Sequence, residues 1–287
     1  MSSPSSASPA VSKPNDEKFF RARIVDRKDL GHSLWSIRID VGGGNFHFVP
    51  GQYATLGVQT PTKHVERPYS IVSAPHEGFL EFFLELVPQG ALTPLLYKLQ
   101  IGDTLTCRRV ARGRFTLDTK GGHTNHFLLA TVTGVAPFVS YVRALQHESK
   151  NSLIQHRVFL IEGASHSREF GYREEMERIA AEVSWFTFVP TISRPWDEAE
   201  WHGETGRVED LIRKYTDLWN LDGQNTTAYL CGHPTMIENG KGILHRRSWQ
   251  KDSMKEEVYF LPSSAAAPRS TWTWPWRKHG FAQGGAA

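Results

Sequence analysis

The hydrophobic pattern of this 287-residue chain changes its period near Asn125. From Phe19 to about Leu117, short alternating or apolar runs ("RARIVDRKDL", "LWSIRID", "YATLGV", "YSIVS", "FLEFFLELV", "DTLTCRRV") recur at regular spacing between glycines and prolines. Such runs predict strands of an antiparallel barrel or sandwich. "TPLLYKLQIGD" interrupts them as one short helix and a turn. Beyond Asn125, "HFLLATVTGVAPFVSYVRALQHE" reads as a buried strand, a small-residue turn and a helix, and "HRVFLIEGASHSREFGYREEMERIAAEV" repeats the scheme. "WFTFVPTISR" and "TAYLCGHPTMIENGKGILHRR" add two further strands, the second with a helix behind it. Strands alternating with helices predict a parallel sheet covered on both faces. The expected architecture is therefore two-domain, an antiparallel β-barrel followed by an α/β parallel-sheet domain. The expected boundaries are a disordered tail over 1–17, the barrel over 18–120, the α/β domain over 121–260 and a C-terminal extension over 261–287.

Composition removes several classes of function. A net charge of +3 argues against a nucleic-acid partner. No apolar run approaches the roughly 18 residues of a membrane span, and the Ser/Pro-rich start has no secretory signal pattern, so a cytoplasmic protein is expected. The two cysteines, Cys107 and Cys231, form no CxxC pair, which leaves no metal, cluster or disulfide framework to expect. Near the C-terminus, Trp272, Trp274 and Trp276 alternate beside Arg277 and Lys278. That segment reads either as a flexible end or as a partner-binding one.

Ligands of open α/β sheets sit beyond the carboxyl ends of the strands. Thr133, Gly134, Ala136 and Pro137 follow one such end in a T-G-x-A-P turn, where small side chains let a ligand reach the backbone. A tight strand–helix turn needs small residues too. Cys231 and Gly232 close another strand, where the cysteine is a buried hydrophobe, a nucleophile or a neighbour to a ligand ring. Ser165, Arg168, Tyr172, Arg194 and Arg207 fall on loops or helix starts between them, and arginines and hydroxyls around an aromatic ring suit a 2′-phosphate and adenine. Singly, each arginine reads better as a solvated face, and two or three following successive strands at one sheet edge shift that balance. In the barrel, Arg67, Pro68, Tyr69 and Ser70 combine a cation, a ring and a hydroxyl, with Thr93 downstream at a helix start. They read as a clamp for a pyrophosphate and a flat heterocycle, or as an edge strand with a packing tyrosine.

In this order, R-P-Y-S with the following Ser73, T-G-x-A-P-F, S-x-x-x-E-F-G-Y-R-E-E, S-R and C-G-x-P-x-M, the chain resembles the ferredoxin–NADP reductase family, most closely its bacterial ferredoxin/flavodoxin reductase branch. The resemblance spans about Phe19 to Phe260. It implies FAD on the barrel and NADP(H) on the α/β domain, with electrons passing between NADP(H) and a ferredoxin or flavodoxin, in a protein expected to be monomeric. It implies that Arg67, with Pro68, meets the FAD pyrophosphate supported by Thr93. Tyr69 would stack on the isoalloxazine, Ser70 would bond near N5, and Ser73 belongs to the same flavin motif. Thr133 and Cys231 would flank the nicotinamide, within motifs that include Gly134, Ala136, Pro137, Gly232 and Met236. Ser70, Tyr69 and Cys231 are thus the expected catalytic residues. Arg194 and Arg207 would bind the 2′-phosphate, near Ser165 and Arg168, with Tyr172 beside the adenine. Tyr259 or Phe260 would lie over the flavin. Val132 departs from the family at the first glycine of G-T-G, and Ser165 stands where some bacterial members have arginine. Two other readings use the same features: an NAD(P)H:flavin reductase or oxygenase reductase component, and a flavin-binding regulatory subunit docked through the tryptophan-rich tail.

Overall fold

A computed structural model describes residues 18–31, 33–42 and 46–259. Six antiparallel strands form the first domain: β1 (Phe19–Gly31), β2 (Leu34–Asp40), β3 (Tyr53–Gln59), β4 (His64–Ser70), β5 (Phe79–Glu85) and β6 (Thr104–Arg108), with the short helix α1 (Thr93–Tyr97) between the last two. Their order is β4-β3-β6-β1-β2-β5. The Val72 amide donates to the Glu81 carbonyl at 2.8 Å and brings the two outer strands together, which makes the sheet a barrel. Alternation fills it: Ala22, Ile24, Trp35, Ile37, Ile39, Leu56, Leu80, Phe82 and Leu105 point inward as one core. The expected strand "YSIVS" is displaced. Pairing with β3 runs from His64 to Ser70, and Ile71 and Val72 then turn across the barrel mouth, bonding to Gln52 and Glu81.

The second domain is a parallel sheet in the order β10-β9-β8-β7-β11-β12. Its elements are β7 (Asn125–Thr131), α2 (Ala136–Ser149), β8 (Arg157–Ala164), α3 (Arg173–Glu182), β9 (Phe186–Ile192), β10 (Glu204–Thr205), α4 (Val208–Leu218), β11 (Thr226–Gly232), α5 (Pro234–Arg246) and β12 (Met254–Val258). Leu128, Leu160, Val139, Val142 and Met176 form one face with α2 and α3. Phe127, Leu129, Phe159 and Ile161 form the other with Ile212 of α4 and Ile237 of α5. Strands β10 and β12 escape the sequence pattern because both are short, polar edge strands. No helix among the described residues is long and apolar enough to cross a membrane.

β5 explains why "FLEFFLE" is apolar on both faces. Leu80, Phe82 and Leu84 fill the barrel, whereas Glu81 and Phe83 face α2 and α3. Arg143 of α2 reaches Glu81 at 2.8 Å and grips Glu175 with two bonds of 2.8 Å. Tyr172 donates to Glu81 at 3.0 Å and packs edge-on against Phe83, ring centroids 5.4 Å apart. Ser140 donates to the Ser73 carbonyl at 2.7 Å. The two domains thus meet along one barrel strand and the turn before it.

Within the sheet, Glu162 of β8 is wholly buried and neither carboxyl oxygen has a hydrogen-bond partner. Burial pushes its carboxyl up to about 8. An unfolded glutamate has an ordinary pKa of about 4.3, so between that value and about 8 the folded chain holds a proton that the unfolded chain has released. Stability is therefore full at the acid side of this window and falls by up to ~1.4 kcal/mol per pH unit as pH rises through it. Glu162→Gln should remove this contribution, so the urea midpoint of the parent should fall relative to that of the variant as pH rises toward about 8. An equal slope in both proteins would assign the dependence elsewhere.

Candidate functional site

The carboxyl ends of β7 and β11 and the end of β4 converge where the two domains touch. On β4, Arg67 and Pro68 are exposed, Tyr69 is half-buried and Ser70 is buried. β4 is the outer strand of its sheet, so Pro68, which has no N–H, costs no ladder bond on its open side. Arg67 donates to the Glu66 carbonyl, and its guanidinium opposes the upward push that burial gives the Tyr69 phenol. Glu66 itself is neutralised by Arg108, which holds its carboxyl below the usual range.

Ser70 is the meeting point. Its hydroxyl donates to Glu257 Oε1 on β12 at 2.7 Å. The Tyr259 hydroxyl lies 3.4 Å from Ser70 Oγ and donates to the Thr133 carbonyl at 3.1 Å. Parallel pairing sets Cys231 between Ala130 and Glu257. Burial raises the Cys231 thiol far above its ordinary value, and the Glu257 carboxyl raises it further, against a smaller opposing effect of the Tyr259 hydroxyl. A raised pKa disfavours the thiolate and with it the nucleophile reading, which leaves a buried small hydrophobe or a neighbour to a flat ring. Burial likewise raises Glu257, with the Ser70 bond opposing. Glu257 is the residue that the sequence reading missed. It lies in "MKEEV", which resembles a solvated charge run; only the register of an edge strand turns it inward.

The turn after β7 is tightly determined. Val132 has φ +45°, a left-handed conformation that a β-branched side chain tolerates poorly. A Cβ on Gly134 would run into the Cys231 carbonyl, and Gly232, at φ +123°, would meet the Thr131 hydroxyl, which holds the His233 amide at 2.8 Å. These glycines are small because two strand ends press together. Ala136 and Pro137 are buried in the first turn of α2. His233 caps α5 by accepting from the Thr235 amide.

A second group gathers at the ends of β8 and β9. Ser193 and Arg194 continue the pairing of β9 with Ala164 and Ser165. The Gly206 amide bonds to the Ile192 carbonyl and brings exposed Arg207 to the same edge. Exposed Arg168 and half-buried Ser165 stand on the facing loop. Three arginines thus stand on the loops at one end of the sheet.

Several expected site residues have other contacts within the fold. Tyr172 is buried against the barrel, its hydroxyl on Glu81, and cannot stand beside an adenine at the sheet edge. Met236, on α5, packs in the core shared with α4. The Ser73 hydroxyl accepts from the Glu81 amide and its carbonyl from Ser140, so it serves the domain junction. The Thr93 hydroxyl both donates to and accepts from Val87, pinning the loop before α1. Phe260 and the tryptophan-rich extension lie outside the described residues.

The donor set fits the flavin and nicotinamide groups that the motifs imply. An open-edged strand presents a cation, a ring and a hydroxyl, and the facing strand ends offer small residues and backbone groups. Matches to known proteins agree with this layout. Residues 21–116 match the oxidoreductase FAD-binding domain and residues 128–241 the oxidoreductase NAD-binding domain. Ferredoxin–NADP reductase A of Sorangium cellulosum is 28% identical over 232 residues, covering 78% of this chain and 82% of that protein. The phenol hydroxylase P5 protein of Acinetobacter pittii is 28% identical over 250 residues, covering 86% of this chain and 67% of that protein. A crystal structure of a ferredoxin NADP+ reductase from Neisseria gonorrhoeae with bound FAD and NADP shares the fold at a TM-score of 0.74 and 24% identity, covering 85% of this chain and 99% of that one.

The glycine constraint is testable by itself. Gly134→Ala should lower stability by about 1–3 kcal/mol, the usual effect of forcing a methyl into a packed junction. A shift of the urea midpoint reads it. An unchanged midpoint would mean that β7 and β11 part freely.

Proposed function

Because the chain belongs to the ferredoxin–NADP reductase family of flavoprotein oxidoreductases, we propose that it moves electrons between NADP(H) and a small acidic one-electron carrier of the ferredoxin or flavodoxin kind. The observation that carries this reading is the hydrogen bond from Ser70 of the barrel to Glu257 of the parallel sheet. It joins the flavin half to the nicotinamide half at the point where the two rings must meet.

FAD, when bound, would accept one hydride, with its two electrons, and release those electrons singly. The chain supplies position and protons. Arg67 would hold the diphosphate as a cation on the open strand, and Tyr69 would give the flat ring system an aromatic side. Ser70 is oriented by donating its hydroxyl to Glu257, whose raised carboxyl can hold a proton beyond the ordinary carboxylate range beside it. Tyr259 stands between Ser70 and Thr133 and must swing aside for a nicotinamide to reach the barrel. Buried Cys231 and Gly134 then form an apolar floor that excludes water. Exposed Arg112, whose backbone pairs with Tyr53 opposite Ser70, adds positive charge near the same mouth and favours an acidic carrier.

A reductase component for an oxygenase is the second reading, favoured by the match to the phenol hydroxylase P5 protein. With two cysteines, both buried, this chain has no four-thiolate set for an iron–sulfur cluster, so it would need a separate carrier in that role as well.

The purified protein should be yellow and oxidise NADPH with ferricyanide; a protein that retains no flavin would sink the proposal. Ser70→Ala should slow flavin reduction by about 10²-fold in stopped flow with little change in NADPH affinity. Arg194→Ala should raise KM for NADPH by roughly tenfold and leave KM for NADH unchanged, the expected loss of a charge-assisted phosphate contact. In the parent protein, the proton on Glu257 is lost as pH rises through its raised pKa, and the rate should fall on that limb. Glu257→Gln cannot titrate, so a limb that survives the substitution would assign the proton to another group.

A further inference from the structure

A further contact joins the barrel to α2. The turn Pro75–Glu77, which precedes β5, brings the His76 ring face to face with that of His147 in the last turn of α2. The ring centroids are 3.8 Å apart and the planes 15° from parallel. Both residues are exposed, and the proposed reaction uses neither. The charge around them is mostly positive. Arg143, one turn earlier on α2, lies 3.4 Å from Glu77, and Lys150 follows the end of the same helix. Glu77 is the carboxylate of the turn, but its Oε2 already accepts from the Ala74 amide at 2.6 Å. Glu81 of β5 and Glu175 of α3 are engaged by Arg143 itself.

Neutral imidazoles stack readily, and a single charged ring can still lie on a neutral one. Two charged rings at this spacing repel each other. Burial first, then the facing His147, holds His76 below the ordinary histidine range; Glu77 opposes, and Lys150 and Arg143 add to the lowering. An unfolded histidine takes up its proton near pH 6.5, so this contact is intact above that value and weakens as pH falls below it. We propose that the His76–His147 stack is an acid-sensitive latch of the domain junction: neutral rings hold the barrel turn to α2, and a charge on both releases it. Release loosens the junction that brings Ser70 to Glu257, so turnover slows in acid. The effect on turnover rests on the reductase reading above, whereas the latch itself does not.

The test uses the full-length protein and two variants. His147→Phe keeps a ring in the stack that cannot be charged, and His147→Lys places a charge there at neutral pH. Because position 147 is exposed, both should fold as the parent does, which circular dichroism checks. Followed by proton NMR, His76 and His147 of the parent should titrate as a coupled pair in two separated steps. In His147→Phe, His76 should titrate in one step, nearer its ordinary value. The urea midpoint of the parent should fall relative to that of His147→Phe from about pH 7.5 to about pH 5.5, a comparison in which Glu162 cancels because it titrates in both proteins. Over the same interval kcat with NADPH and ferricyanide should drop roughly three- to tenfold in the parent, the scale of repulsion between two solvent-facing unit charges about 4 Å apart, and should hold in His147→Phe. His147→Lys should show the lowered rate already at neutral pH. The inference is overturned if His76 titrates alike in the parent and in His147→Phe, or if the acid loss of kcat survives in His147→Phe. A coupled titration and a midpoint shift, in a protein that does not oxidise NADPH, would leave the latch standing and remove the reductase reading.

Discussion

The Arg143 guanidinium, buried between the barrel and the parallel sheet, is the contact on which the site depends. It takes Glu81 from one domain and Glu175 from its own, with Glu77 at 3.4 Å. Burying these charges costs solvation that the pairing only partly offsets, so the net stabilisation is small. Its geometry, however, is specific. A guanidinium offers its donors in a fixed fork, and two bonds to Glu175 plus one to Glu81 define a single orientation of α2 relative to β5. Without that orientation Ser70 would not lie within hydrogen-bonding distance of Glu257, because those residues belong to different domains.

Close packing then determines what the site can contain. Cys231 and Gly134 touch across the ends of β11 and β7, and the neighbouring Val132 accepts an unfavourable backbone conformation to make the turn. Strain of this sort, of order 1–3 kcal/mol, persists where the surroundings over-determine the chain. The turn therefore cannot relax toward a wider opening. Beside it, the Tyr259 hydroxyl is tied to Ser70 and to the Thr133 carbonyl, and the Tyr259 amide bonds to the Gly232 carbonyl.

Much of this was legible from residue order. Alternation announced the barrel, strand–helix repetition announced the parallel sheet, and R-P-Y-S and T-G-x-A-P fell at the strand ends that converge. What escaped has a common physical cause: a short motif shows residue type and spacing but not which way a side chain turns. Tyr172 and Met236 sit in ligand-like motifs, yet their apolar bulk is used in packing, one against Phe83 and the other in the core shared with α4. Glu257 had the opposite fate. Its neighbours Lys255 and Glu256 gave it the appearance of surface, and only pairing with β11 shows it facing inward. The strand "YSIVS" was misplaced because β-branched residues at a barrel seam look like strand interior when they cross from one neighbour to another.

Glu81 has one further consequence, for modularity. Its carbonyl closes the barrel by accepting from Val72, its amide holds the Ser73 hydroxyl, and its carboxylate receives Arg143 and Tyr172. One residue is thus both the seam of the first domain and the socket of the second. The two halves are separable in sequence but not as interchangeable parts. A barrel taken from a relative would fit this parallel sheet only if its fifth strand brought the same carboxylate, so the unit of exchange is the barrel strand together with helices α2 and α3.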